Sequence, residues 1–330
     1  MTKVSSVRAG ITGVGFYVPE KILTNRDLEK MVETSDEWIL TRTGISERHI
    51  AEKGSGTSDL SAKAALAALK NAGTKPEEID LIIAATTTPD MPLPSCACFI
   101  QQKIGAVNAA AFDLGAACAG FVYALITAEQ FIVNGTYKTV LVVGADMISS
   151  YIDWTDRSTC VLFGDGAGAV VLKEVKSGGI LSSVLGSDGR YAELLKVCGG
   201  GSKFPATEET VKAKNHYLQM TGSEVFKLAV RGMSDAVNKA LAKAGVDKKE
   251  ISCFIPHQAN QRIIDAVGER LEVPKEKVFV NLQKYGNTSA ASCVIALCEA
   301  IEQGKVKKKD KIVFATFGSG LVWGAAVLEW

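Results

Sequence analysis

The sequence predicts an α/β fold made of duplicated α/β units, with mixed sheets sandwiched between helices. Three observations carry this reading. Helical and strand patterns alternate along the chain, the strand-like runs are apolar nearly throughout, and one pattern recurs at a fixed spacing. The runs Leu81–Ala85, Val140–Val143, Cys253–Ile255 and Ile312–Ala315 are almost continuously apolar, as strands covered on both faces must be.

The recurrence is specific. Residues 68–83 (ALKNAGTKPEEIDLII) match residues 240–255 (ALAKAGVDKKEISCFI). In each, a helix ends near a glycine, Gly73 or Gly245, and a charged turn leads into a buried strand. The step along the chain from Gly73 to Gly245 is also the step from Val140 to Ile312. It lays the helical run 121–130 over 293–302 as well, with Ala124, Leu125 and Ala128 falling on Ala296, Leu297 and Ala300. One α/β unit is therefore used twice, at this constant repeat step. The composition turns polar and flexible at Lys173–Gly179, which divides the chain into halves 1–174 and 175–330.

Composition narrows the function classes. The chain has 330 residues, 47% of them hydrophobic, with a formal net charge of +1, so no global field draws it to nucleic acid or a membrane surface. Its opening Met-Thr-Lys-Val-Ser-Ser lacks the apolar core of a leader, and no apolar run approaches the ~18 residues of a membrane span. Eight cysteines are scattered rather than clustered, which fits free thiols in a reducing cytoplasm. Cys96-Ala97-Cys98 is C-x-C with no second ligand pair at zinc-like spacing, so it reads as packing and no metal is expected.

Three residues stand where chemistry is expected. Cys118 follows the run Ala109–Ala117 and opens a long helical pattern; the positive end of a helix dipole favours the thiolate, and small neighbours let a carbonyl approach. Taken alone, it reads equally as a small buried hydrophobe. His257 ends the strand Cys253–Pro256, facing the crevice where α/β sheets bind ligands; alone, it reads as a structural hydrogen bonder. Asn287 lies in Tyr-Gly-Asn-Thr-Ser before a small-residue helix start, where a turn or N-cap asparagine is the plain alternative. The repeat joins them: one repeat step before His257 stands Ala85, and one before Asn287 stands Gly115, close to Cys118 in the chain. Equivalent strand ends of a duplicated fold converge on one pocket. His49 and His216, in charged segments, read as surface residues.

The runs Asp113–Phe121, His257–Asn260 and Tyr285–Ser289 together resemble the β-ketoacyl-acyl carrier protein synthase III family of the thiolase fold, over essentially the whole chain. Residues 34–39, 42–45 and 163–168 and the final Phe317-Gly-Ser-Gly add to the resemblance. It implies a thiolase-like fold and a condensing acyltransferase of fatty-acid synthesis that is primed by an acyl-coenzyme A, acetyl-coenzyme A by preference. Cys118 is then the acyl-accepting nucleophile, with His257 and Asn287 completing the set, and the N–H groups of Cys118 and Ser319 forming the oxyanion hole. Coenzyme A is held by Trp38 and Arg157 about the adenine, Arg42 at the phosphates, and Thr34, Asn260 and Gly222 along the pantetheine. Leu93 and Phe163 belong to the primer pocket, Leu93 capping that of a partner subunit. Lys227, Gln258, Arg262 and Arg270 are implied as the docking patch for the acidic carrier protein. The partners implied are acyl-coenzyme A, malonyl-acyl carrier protein and a second copy of the chain. No cofactor is implied, coenzyme A entering as a thioester substrate. Two other readings stay open here: a relative loading another acyl group in specialised metabolism, and an inactive protein that binds coenzyme A.

Overall fold

The computed structural model describes residues 7–330, so the polar opening Met1–Ser6 lies outside the described residues. Nine strands build two sheets: β1 (Arg8–Tyr17), β2 (Leu81–Ala85), β3 (Ala110–Leu114), β4 (Thr139–Met147), β5 (Asp165–Val175), β6 (Gly179–Ser187), β7 (Ile251–Pro256), β8 (Lys311–Gly318) and β9 (Val322–Glu329). The helices that matter here are α1 (Asp36–Thr43), α2 (Thr57–Ala72), α3 (Cys96–Ile104), α4 (Gly120–Val133), α5 (Gly222–Ala244), α6 (Gln261–Leu271) and α7 (Ser292–Glu302).

The first sheet runs β1-β5-β4-β2-β3 and the second β7-β8-β9-β6. Both are mixed. β2 pairs in parallel with β3 and β4, and β7 with β8, while β1–β5, β4–β5, β8–β9 and β6–β9 are antiparallel. The repeat step holds at the level of register: Leu81 pairs with Val140, and Cys253 pairs with Ile312. α2 and α5 both end on a left-handed glycine, Gly73 (φ +60°) and Gly245 (φ +65°), a conformation an L side chain resists.

Burial explains the apolar strands. Leu81, Ile83 and Ala85 join a central core with Ile312, Phe314, Phe121 and Leu297, while Ile82 and Ala84 face α2 and α3. Ile255 likewise faces the centre and Phe254 faces α5 and α6. The order is therefore helices, sheet, the central pair α4 and α7, sheet, helices. Phe121 and Phe314 meet edge to face in the central layer, ring centroids 5.8 Å apart, joining one half to the other. All eight cysteines are free, and among the described residues no helix is long and apolar enough to cross a membrane.

Candidate active site

The chain leaves β3 through Gly115 and Ala116 and turns sharply at Ala117, whose φ is +45°. Cys118 therefore sits in a single tight turn, Ala117–Ala119, and α4 begins at Gly120, just beyond the start that the sequence pattern suggests. The other half repeats this device one repeat step along the chain. Ser289 has φ +51°, the turn is Ser289–Ala291, and α7 follows. Ala290 occupies the place of Cys118.

What faces each turn differs. The Ala290 N–H is given to the buried carboxylate of Asp146 at 3.3 Å, a carboxylate that also accepts from the hydroxyls of Thr86, Thr87 and Thr88. The position equivalent to Asp146 is Gly318. A Cβ there would lie 2.7 Å from the Cys118 nitrogen, so no side chain fits, and no carboxylate meets the Cys118 N–H as Asp146 meets that of Ala290. Beside it, the Ser289 hydroxyl donates to Cys118 Sγ at 3.3 Å.

Burial pushes the Cys118 thiol up to about 12, opposed by the Ser289 hydrogen bond and reinforced by the Asp146 charge. Desolvation therefore opposes the thiolate that the helix start favours.

His257 ends β7, its N–H held by the Ala315 carbonyl at 2.7 Å and its Nδ1 2.7 Å from Ser292 Oγ. Desolvation lowers its pKa to about 4, so the ring is neutral at pH 7. Asn287 is clamped between Leu162 and Gly164: its N–H donates to the Leu162 carbonyl (2.8 Å) and its own carbonyl accepts from Gly164 (3.1 Å). Its Oδ1 accepts from the Ser289 N–H at 2.9 Å. Only the oxygen end can pair with that N–H, which leaves the amide's NH₂ end to donate elsewhere.

Cys118, His257 and Asn287 line one cavity of about 610 Å³, together with Phe163, Phe317 and Gly318. Leu195, Met220 and Phe226 give it an apolar lining, and Gly222, Lys227 and Arg262, which are exposed, line it with the partly exposed Asn260. A thiol, its backbone N–H and two neutral donors share this space, a set suited to acyl transfer through a covalent intermediate.

Two family models match the chain: 3-oxoacyl-[acyl-carrier-protein (ACP)] synthase III over residues 112–189, and the C-terminal model of that family over 241–330. The β-ketoacyl-[acyl-carrier-protein] synthase III of Caldanaerobacter subterraneus subsp. tengcongensis is 54% identical over 325 residues, 98% of each chain. The chain belongs to the 3-oxoacyl-[acyl-carrier-protein] synthase III family. The crystal structure of that synthase from Aquifex aeolicus VF5 superposes with a TM-score of 0.91 at 50% identity, covering 98% of this chain and 100% of the other. The priming β-ketosynthase from the R1128 polyketide pathway is similar at TM-score 0.91 and 36% identity, over 99% of this chain and 98% of its own. The thiolase-like architecture expected from the sequence is thus the one found.

The remaining positions singled out in the sequence divide by place. Trp38 and Arg42 sit on α1, Arg157 reaches across to them, and Thr34 precedes the helix. The Arg157 guanidinium lies 4.8 Å from the Trp38 ring centre and donates to the Glu33 carbonyl at 2.8 Å. A purine between the two needs about 7 Å, two stacking layers of ~3.5 Å, so Arg157 must swing outward to admit one. Asn260 ties this cluster to the cavity, its Nδ2 donating to the Arg42 carbonyl at 3.1 Å. Thr34 Oγ1 is enclosed without a hydrogen-bond partner among the described residues.

Three expectations are corrected, those for Gln258, His49 and His216, while Arg270, Leu93 and Ser319 are placed without correction. Gln258 is 1% exposed, its amide donating to the Pro256 and Phe279 carbonyls and accepting from Asn281, so it braces the His257 loop and offers no docking surface. Arg270 does not line the cavity mouth and faces Asp235 at 3.7 Å. His49 and His216 are half-buried rather than surface residues, His49 beside Tyr285 and its Nδ1 against the Pro19 carbonyl, His216 against Tyr217. Leu93 is 84% exposed and lines no part of the chain's own cavity. Ser319 spends its hydroxyl on the Leu195 carbonyl and can serve the cavity only through its backbone. Sequence reasoning missed Ser289, Ser292, Asp146 and Gly318. The signal was available, because the repeat step maps Ser289 onto Ala117 and Gly318 onto Asp146.

Proposed function

We propose that the chain condenses an acyl-coenzyme A primer with malonyl-acyl carrier protein, releasing carbon dioxide and coenzyme A and starting fatty-acid synthesis in the cytoplasm. The observation that carries this is the shared cavity, in which Gly318 leaves the Cys118 N–H uncovered by any side chain while His257 and Asn287 present neutral donors.

The steps follow from those groups. Cys118 sulfur attacks the primer thioester, its proton passing to the coenzyme A sulfur as the carbon–sulfur bond breaks. The Cys118 and Ser319 N–H groups take the developing oxyanion. Malonyl-carrier protein then loses carbon dioxide. The electron pair passes into its thioester enolate, whose oxygen receives hydrogen bonds from His257 and Asn287. The enolate carbon attacks the acyl-cysteine, the new carbon–carbon bond forms, and the Cys118 thiolate leaves and regains a proton from water.

Coenzyme A reaches Cys118 along the apolar cavity, with the unpartnered Thr34 hydroxyl, Asn260 and Gly222 along the pantetheine and Trp38, Arg42 and Arg157 at the nucleotide end. Lys227 and Arg262 at the mouth face the acidic carrier protein. The exposed Leu93 is covered by a second copy, whose own primer pocket it closes beside Phe163; sedimentation at assay concentration tests the dimer. Leucine at that position is compatible with acetyl and branched primers, acetyl being the primary expectation.

The test is condensation by wild type and Cys118→Ala with acetyl-, isobutyryl- and hexanoyl-coenzyme A as primers. The wild type should make acetoacetyl-carrier protein fastest from acetyl-coenzyme A. Product formation by Cys118→Ala at the wild-type rate sinks the assignment.

A further inference from the structure

We infer that Ser292 is a positioning residue that fixes the His257 ring proton on Nε2, facing the cavity. This rests on the reading that His257 donates to the enolate oxygen. A neutral imidazole carries one N–H, and it can donate into the cavity only if Nδ1 is the nitrogen that accepts.

The surroundings of Ser292 decide which nitrogen that is. Ser292 and His257 are 2% and 3% exposed, so water does not compete for their 2.7 Å contact. The Gln258 N–H points at Ser292 Oγ from 3.4 Å, occupying the oxygen as an acceptor. The one hydroxyl proton then has Nδ1 as its strong acceptor. The neighbouring Cys293 donates its own proton to the Ile255 carbonyl at 3.9 Å and is a weak sulfur acceptor in return. Gln258 is held in place by three further hydrogen bonds, so the direction of this chain is set by backbone groups that cannot reverse.

The duplicated half isolates what is special here. The positions equivalent to Ser292 and His257 are Gly120 and Ala85. A Cβ on Gly120 would lie 2.9 Å from the Ala85 Cβ, so that half has room for neither a hydroxyl nor a ring. The Ser292–His257 pair fills a contact that elsewhere in the molecule is plain packing.

The test combines nitrogen-15 NMR of the histidine rings with the two half-reactions, on wild type and Ser292→Ala. His257 is assigned by its loss in His257→Gln, and there are only three histidines. Wild type should show a single Nε2–H tautomer at pH 7. Ser292→Ala should show a mixture and lose roughly 10- to 100-fold in condensation kcat. Its Cys118 acylation rate and its KM for malonyl-carrier protein should stay within about threefold, and Ser292→Cys, a weaker donor, should fall between. An Nδ1–H tautomer in wild type overturns the inference, and so does a Ser292→Ala enzyme with wild-type tautomer and rate. Equal losses in both half-reactions also overturn it, since they report a merely structural role. The tautomer is read without turnover, so a chain that fails to condense refutes the proposed function and leaves this result standing or falling separately.

Discussion

The turns at Ala117–Ala119 and Ser289–Ala291 share a backbone and differ in what meets it. Each begins at a residue with positive φ, each feeds a central helix, and they occupy equivalent places in the two halves. At the second turn the N–H of Ala290 is consumed by the Asp146 carboxylate. At the first, Gly318 stands in place of that carboxylate and no side chain covers the N–H of Cys118. The difference teaches that reactivity here comes from a removed side chain as much as from an added thiol. One turn became a structural clasp and the other a site.

The largest effect should come from filling the gap. Gly318→Ala places a methyl group against the Cys118 nitrogen and should lower the acylation rate by about 10²- to 10³-fold, the usual loss of one oxyanion donor. Stopped-flow release of coenzyme A measures it; a rate within threefold of wild type breaks the comparison. On the other turn the cost should fall on stability. Asp146→Ala strands several buried donors and should cost about 3 kcal/mol or more in denaturant unfolding.

A smaller effect concerns pH. The folded His257 pKa lies at about 4, below the ordinary 6.5, so between those values the unfolded chain binds more protons and stability falls as pH falls. His257→Gln removes this dependence. The stability of wild type relative to that variant should decline by about 2–3 kcal/mol from pH 7 to pH 4. An unchanged difference would mean that the ring is not held neutral.

Legibility in the sequence followed the range of the forces involved. β2 and β7 could be read because burial on both faces writes a continuous apolar run into the chain, and the helix ends at Gly73 and Gly245 because positive φ selects glycine. The meeting of Cys118, His257 and Asn287 could be reasoned from the repeat, since equivalent strand ends share a crevice. The upward push on the Cys118 pKa could not, because the desolvation behind it is supplied by segments remote in sequence. The resemblance implies a docking role for Gln258, and the end of β7 turns it inward instead. Ser292 looks like any serine at a helix start, and only the packing of α7 against the β7 end brings it to the ring.

The central claim is that the chain carries its acyl group on one turn and not on its twin. Incubation with acetyl-coenzyme A, intact-mass measurement and peptide mapping test it directly. The account predicts one acetyl group per chain, on Cys118, discharged when malonyl-acyl carrier protein is added. No adduct, an adduct on another residue, or an acetyl group that malonyl-carrier protein leaves in place would contradict it.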